Sequence, residues 1–145
     1  MNGVARTLDT VTDLLRARGR RVEVIGPDRF RTVPMPGYAS IRLAVLPGRH
    51  GLVGMVDAFR PDTLHIATEG PLGIAARRLA LARGWRFTTS FHTRFPEYLQ
   101  ARMRVPTALP YAWLRRFHAA AAGTMVATPL LRQELAVRAS AISVR

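Results

Sequence analysis

The sequence predicts an α/β domain, a parallel sheet with flanking helices. Three observations predict it. Apolar residues recur at three- and four-residue steps in the stretches that begin at Gly3 and at Leu72, the spacing of one helix face. Short apolar or β-branched runs stand between such stretches, the clearest being Leu64–Ala67 and Arg86–Ser90. Glycine closes helical stretches at Gly19 and Gly84, where a left-handed residue ends a helix without steric cost, and Gly123 turns a later one into a strand. Strand, turn and helix in repeated alternation build a parallel sheet.

Each element follows in order. Val4, Leu8, Val11, Leu14 and Leu15 form the apolar stripe of a first helix, from Gly3 to Arg18, with Asp9, Asp13, Arg16 and Arg18 off the stripe. Arg21–Ile25 then reads as a strand closed by Gly26-Pro27-Asp28. Residues 27–48 are rich in proline and glycine and read as a loop excursion whose one credible strand is Ile41–Leu46. A helix over Leu52–Arg60, a turn at Pro61-Asp62 and a short strand at Leu64–Ala67 lead into Glu69-Gly70-Pro71-Leu72-Gly73. The next helix runs to Arg83 and feeds the strand Arg86–Ser90, completing a βαβ unit. Further on, the sequence predicts helices over Glu97–Met103 and Tyr111–Ala122 and a strand over Thr124–Ala127. Thr128-Pro129 then opens a last helix, with threonine as N-cap and proline in the first turn.

Composition bounds the function. At 145 residues the chain has the size of one domain, and its 48% hydrophobic content is enough for a core. Without cysteine it has no disulfide scaffold, thiolate metal site or cysteine nucleophile. No apolar run approaches a membrane span, and the start lacks the basic-then-apolar order of a secretory signal, so the expectation is a cytoplasmic or peripheral protein. The net charge of +13 comes from 22 basic residues, all of them arginine, against nine acids. This is either a consequence of GC-rich coding or a footprint for an anionic partner. The arginines are spread along the chain and no zinc-finger or aromatic RNA-binding pattern accompanies them, which argues against specific nucleic-acid recognition.

In an open parallel sheet, ligands bind beyond the carboxyl ends of the strands, so the turns after the strands hold the candidate residues. Asn2 and Gly3 open the first helix, where free amides and the helix dipole suit a phosphate; the competing reading is an asparagine N-cap. Glu69 and Gly70 follow a strand, with Gly70 permitting close approach and Glu69 able to bond a sugar hydroxyl. Alternatively, the acid only offsets the helix dipole. His92 and Arg94, in Phe91-His92-Thr93-Arg94-Phe95, combine a group that exchanges protons near neutrality with a planar fork for phosphate or carboxylate, although a histidine between aromatics is often packed structurally. His65 and His118 read as satisfied structural histidines and His50 as a solvated one. No Ser-His-Asp set, metal-ligand cluster or Gly-x-Gly-x-x-Gly is present in the sequence.

Taken together, Asn2-Gly3-Val4, Val22–Pro27, His65–Gly73 and Thr88–Tyr98 resemble, in order and spacing, the N-terminal domain of family-4 retaining glycosyltransferases. Within that family they are similar to bacterial glycolipid enzymes such as GDP-mannose-dependent alpha-mannosyltransferases. The resemblance covers residues 2 to about 136. It implies a Rossmann-like half of a GT-B fold, with the acceptor held mainly by this half and the nucleotide sugar, GDP-mannose, mainly by a C-terminal domain. It also implies Asn2 and Gly3 near the donor diphosphate, His92 at the transferred sugar as the catalytic-site residue, and Glu69, Gly70 and Arg94 on the acceptor side. No metal or other cofactor is implied, and the arginine excess is expected to dock a lipid acceptor's anionic membrane.

The sequence also departs from the family pattern. The strand expected before Asn2 and the whole C-terminal domain are missing, and Arg138–Arg145 lacks the expected glycine-containing turn and strand. The expectation is therefore a truncated acceptor-side domain with little turnover alone, arising from a misassigned start or a frameshift. The alternative is a non-catalytic binding module, or a basic binder of membrane or nucleic-acid surfaces.

Overall fold

The computed structural model describes residues 3–36, 38–47, 51–91, 108–126 and 128. Helix α1 spans Gly3–Ala17 and ends as expected: Gly19 lies at φ 74°, and the amides of Gly19 and Arg20 bond the carbonyls of Arg16 and Leu15 at 2.9 and 3.0 Å. Arg21–Ile25 is a correction. The segment forms no ladder with any described residue, and extended backbone becomes a strand only by pairing. Its Glu23 instead takes an ion pair from Arg29, the last residue of the single turn at Pro27–Arg29.

The proline-rich excursion is an antiparallel hairpin of β1, Thr32–Met35, and β2, Tyr38–Ala44. One strand was expected here and two are present. Pro34 argues against β1, yet the register shifts between Pro34 and Met35, the kind of irregularity where a sheet tolerates a missing amide. Arg42 fastens the pair, its Nε donating to Thr32 Oγ1 at 3.0 Å. Helix α2, Val53–Phe59, stops at Arg60, which adopts φ 52°.

The predicted βαβ unit follows as β3, Leu64–Ile66, α3, Pro71–Ala82, and β4, Phe87–Phe91. Proline at the first turn of α3 sacrifices an amide that has no helical partner. At the other end Gly84 adopts φ 64°, and the amides of Gly84 and Trp85 return to the carbonyls of Leu81 and Ala80. Helix α4 covers Ala108–His118, beginning three residues earlier than Tyr111 and ending before Ala122. Pro110 lies within its first turn, where a missing amide costs nothing. Strand β5, Gly123–Val126, completes a parallel sheet of order β3-β4-β5. The predicted helices at Glu97–Met103 and after Pro129 lie outside the described residues.

Alternation along β4 divides its side chains. Phe87, Thr89 and Phe91 face one way, with the first and last 2% exposed and Thr89 fully buried. On this face Ile66, Phe87, Ala80 of α3 and Phe117 of α4 form the core, with Ile74, Trp85 and Ala121 packed against it. Burying phenylalanine-sized side chains stabilises by about 1.5–3 kcal/mol each, so this cluster holds both helices on the sheet. Arg77 of α3 adds a long-range cap: its Nε and Nη2 donate to the carbonyls of Phe117 and Arg116, each at 2.9 Å, where α4 has run out of amides. Among the described residues, no helix is long and apolar enough to cross a membrane.

Candidate functional site

The site is built where β3 hands over to α3. After Ile66 the chain passes through Thr68, Glu69 and Gly70, whose carbonyl accepts the first helical bond, from Ile74, at 2.9 Å. Gly70, at the N-cap, offers no side chain to cap this helix start. Gly73, one turn in, lies so close to the strand end that a Cβ there would collide with the Thr68 carbonyl oxygen. It is a packing glycine, seating α3 against β3. Gly70 is different. Its backbone, φ −67° and ψ −178°, suits any residue, and, its chain neighbours aside, no described residue comes within 4 Å of where its Cβ would stand. Among the described residues neither strain nor crowding asks for glycine at 70.

Glu69 is held rather than loose. His118 Nε2 lies 3.2 Å from Glu69 Oε1, and His118 Nδ1 lies 2.8 Å from Thr89 Oγ1. Thr89 Oγ1 in turn meets Thr124 Oγ1 at 2.8 Å. An ionised carboxylate only accepts hydrogen bonds, so Nε2 carries the proton it donates. In the neutral ring Nδ1 then accepts from the Thr89 hydroxyl, and the Thr89 oxygen accepts from Thr124. In that tautomer every donor along the chain points toward Glu69. His118 and Thr124 are 1% exposed and Thr89 not at all, while the Glu69 side chain keeps 21% of its surface. The carboxylate is the wet end of a dry polar chain that crosses β5, β4 and α4. The rings of Phe91 and Phe117 meet that of His118 edge-on, with centroids 6.1 and 5.2 Å away, and fix its plane.

The opposite face of the sheet carries a second histidine. His65 Nδ1 meets Thr88 Oγ1, and Nε2 meets Ser90 Oγ, both at 2.8 Å, as the parallel register of β3 on β4 dictates. Both histidines that the sequence reading set aside are thus satisfied structurally. His118, however, spends one of its bonds on a candidate site residue, which that reading missed.

Of the predicted site residues, Glu69 and Gly70 sit together at the carboxyl end of β3. Gly3 opens α1, where its carbonyl accepts from Thr7 Oγ1 at 3.1 Å and a Cβ would meet nothing within 4 Å. Among the described residues no hydrogen bond or ion pair joins Gly3 to the Glu69 turn. Asn2, His92 and Arg94 lie outside the described residues, as does His50.

Parallel α/β domains take their ligands beyond the carboxyl ends of the strands, and the anchored Glu69 carboxylate stands at such an end, that of β3. The family is named by comparison with known proteins. The family model for Glycosyltransferase Family 4 matches residues 1–141, and the chain belongs to that family. The GDP-mannose-dependent alpha-mannosyltransferase of Mycolicibacterium smegmatis is 27% identical over 153 residues, covering 94% of this chain and 41% of its own length. The chain thus spans about two-fifths of that curated relative. No solved structure matches the chain.

Proposed function

We propose that the chain forms the acceptor side of a glycosyltransferase that moves a hexosyl group, mannosyl from GDP-mannose, onto a glycolipid or glycan with retention of configuration. The observation that carries the reading is the Glu69 turn. A carboxylate anchored through one oxygen, partly open to solvent and flanked by a glycine that no described residue beyond its chain neighbours crowds, is suited to orient the hydroxyls of a sugar-bearing acceptor. Family membership supports glycosyl transfer, and the name of the Mycolicibacterium relative supports mannose and its guanosine diphosphate carrier.

In this reading a second Rossmann-like domain grips most of the nucleotide sugar, and Asn2 with Gly3 presents helix-start amides to its diphosphate. His92 contacts the transferred sugar, and Arg94 lies with Glu69 on the acceptor side. The net charge of +13 favours a lipid acceptor in an anionic membrane, on the side where the nucleotide sugar is made.

Binding of an alkyl hexoside tests the reading. Octyl α-mannoside, held below its micelle-forming concentration, is titrated into the purified chain by calorimetry. Saturable binding that Glu69→Gln weakens tenfold or more is expected; binding that is absent, or indifferent to that substitution, removes Glu69 from the acceptor site. Mannose transfer from labelled GDP-mannose by the chain alone is expected to stay at the level of His92→Ala.

A further inference from the structure

We infer that His118 is a positioning residue for the acceptor carboxylate, selecting which oxygen of Glu69 faces the ligand and holding it there. The inference rests on the proposed acceptor role of Glu69. Its own support is geometric. A glutamate turns about three side-chain bonds, and ordering such a side chain costs up to about 2 kcal/mol of rotamer entropy, which a free surface glutamate would lose on each binding event. Here that cost is met during folding, because Oε1 is bonded to a ring that is itself fixed on every side.

Nδ1 is tied to Thr89, and Thr89 to Thr124, so neither rotation of the ring about its long bond nor a flip of the imidazole is free. Phe91 and Phe117 flank the plane. Arg77 fixes the helix end from which His118 projects, by bonding the two carbonyls immediately before it. With Oε1 engaged, Oε2 is the atom that no described residue engages, and it is the one placed to accept a hydroxyl of the acceptor. The bond to the imidazole also sets the rotation of the carboxylate plane, hence the direction of the Oε2 lone pairs. A bland packing histidine would have no such consequence. It would fill volume, and any ring of its size would serve equally.

The experiment separates those two roles with the octyl α-mannoside probe and four variants of the chain. His118→Phe keeps the ring and its aromatic contacts but removes both bonds. His118→Gln restores a donor at the reach of Nε2. Glu69→Gln and the double variant Glu69→Gln with His118→Phe complete a cycle. The expected result is that His118→Phe weakens probe binding about tenfold, that His118→Gln recovers it to within about threefold, and that His118→Phe adds no further loss once Glu69 is glutamine.

If His118→Phe binds the probe as tightly as the unaltered chain while Glu69→Gln does not, His118 merely packs, and the inference falls with the proposed function intact. If Glu69→Gln binds as the unaltered chain does, the acceptor role itself falls and the inference with it. Should His118→Phe fail to fold, nitrogen-15 spectra of the histidine rings in the unaltered chain decide. The Nε2 resonance of His118 must move on probe binding while that of His65, on the other face, stays; an unmoved His118 overturns the inference.

Discussion

Glu69 and His118 stand 49 residues apart in sequence and 3.2 Å apart in space, joined where the carboxyl end of β3 faces the end of α4. The bond makes the stability of the sheet and the geometry of the candidate site parts of one structure. Thr89, the fully buried member between His118 and Thr124, is where this is easiest to test. Thr89→Val preserves shape and leaves His118 Nδ1 and the Thr124 hydroxyl without their partner. Stranding buried polar groups costs about 1–3 kcal/mol. The neighbouring Thr88→Val removes only a bond to His65 on the more open face, a loss of about 0.5–1.5 kcal/mol. Urea unfolding of the two variants is expected to rank them in that order.

Arg77 ties α3 to the last turn of α4, and its guanidinium also lies 5.9 Å from the centre of the Phe117 ring. Arg77→Met keeps much of the stem but returns two helix-end carbonyls to whatever water can reach them. A loss of about 1–3 kcal/mol is expected, since the bonds are charge-assisted. Hydrogen exchange gives the sharper readout. Protection is expected to fall first in α4, and equal loss across α1 would show that the arginine acts through charge rather than as a cap.

The parts of this molecule that sequence made legible are those set by near neighbours. Gly19 and Gly84 end helices because each must adopt a positive φ within its own turn, and Glu69-Gly70-Pro71 announces a helix start by local chemistry alone. What stayed hidden depends on distant partners. Arg21–Ile25 has the β-branched alternation of a strand but no ladder among the described residues, and pairing is not encoded in alternation. Pro34 hid β1 because a proline is excluded from a strand only where its amide is needed, and that depends on the register with β2. His118 looked like an ordinary helix residue because its partners lie 29 and 49 residues upstream. Its signal was a histidine beside Phe117 on a helix's apolar side, a place that demands polar partners without naming them.

Arg83 and Asp57 couple α3 to α2 through two hydrogen bonds, at 2.5 and 3.1 Å. The hydrogen bonds and then the charge of Arg83 hold the Asp57 carboxyl below its ordinary value of 3.8. A carboxyl with a lowered folded-state pKa binds protons more readily when unfolded. Its contribution to stability is therefore complete above the ordinary value and is lost as pH falls from there through the lowered one. Asp57→Asn has no such dependence. The stability gap between the unaltered chain and Asp57→Asn is expected to be constant near neutrality and to close below about pH 3.8, a small effect because the pair lies at the surface. A gap that instead widens in acid would mean that Asp57 is not held ionised by Arg83.

Gly70 and Gly73, three residues apart at one helix start, separate folding from function. At Gly73 an added methyl meets the backbone oxygen of Thr68, which cannot rotate away, and also crowds Ile66 Cγ2 at 3.2 Å. Gly73→Ala must therefore push α3 off the end of β3, and overpacking of this kind costs about 1–3 kcal/mol. At Gly70 the same methyl meets no described residue beyond its chain neighbours, and the backbone lies where alanine is comfortable. Gly70→Ala is expected to leave stability unchanged or to raise it by up to about 1 kcal/mol, because the unfolded chain loses freedom. Under the proposed acceptor role its cost is expected only when a ligand arrives at the turn that carries Glu69. Thermal unfolding should show Gly73→Ala melting early and Gly70→Ala melting at or above the unaltered chain, while octyl α-mannoside binding weakens in Gly70→Ala. If Gly70→Ala binds the probe normally, the open space at the helix start serves no acceptor, and the ligand must approach Glu69 from the side away from α3.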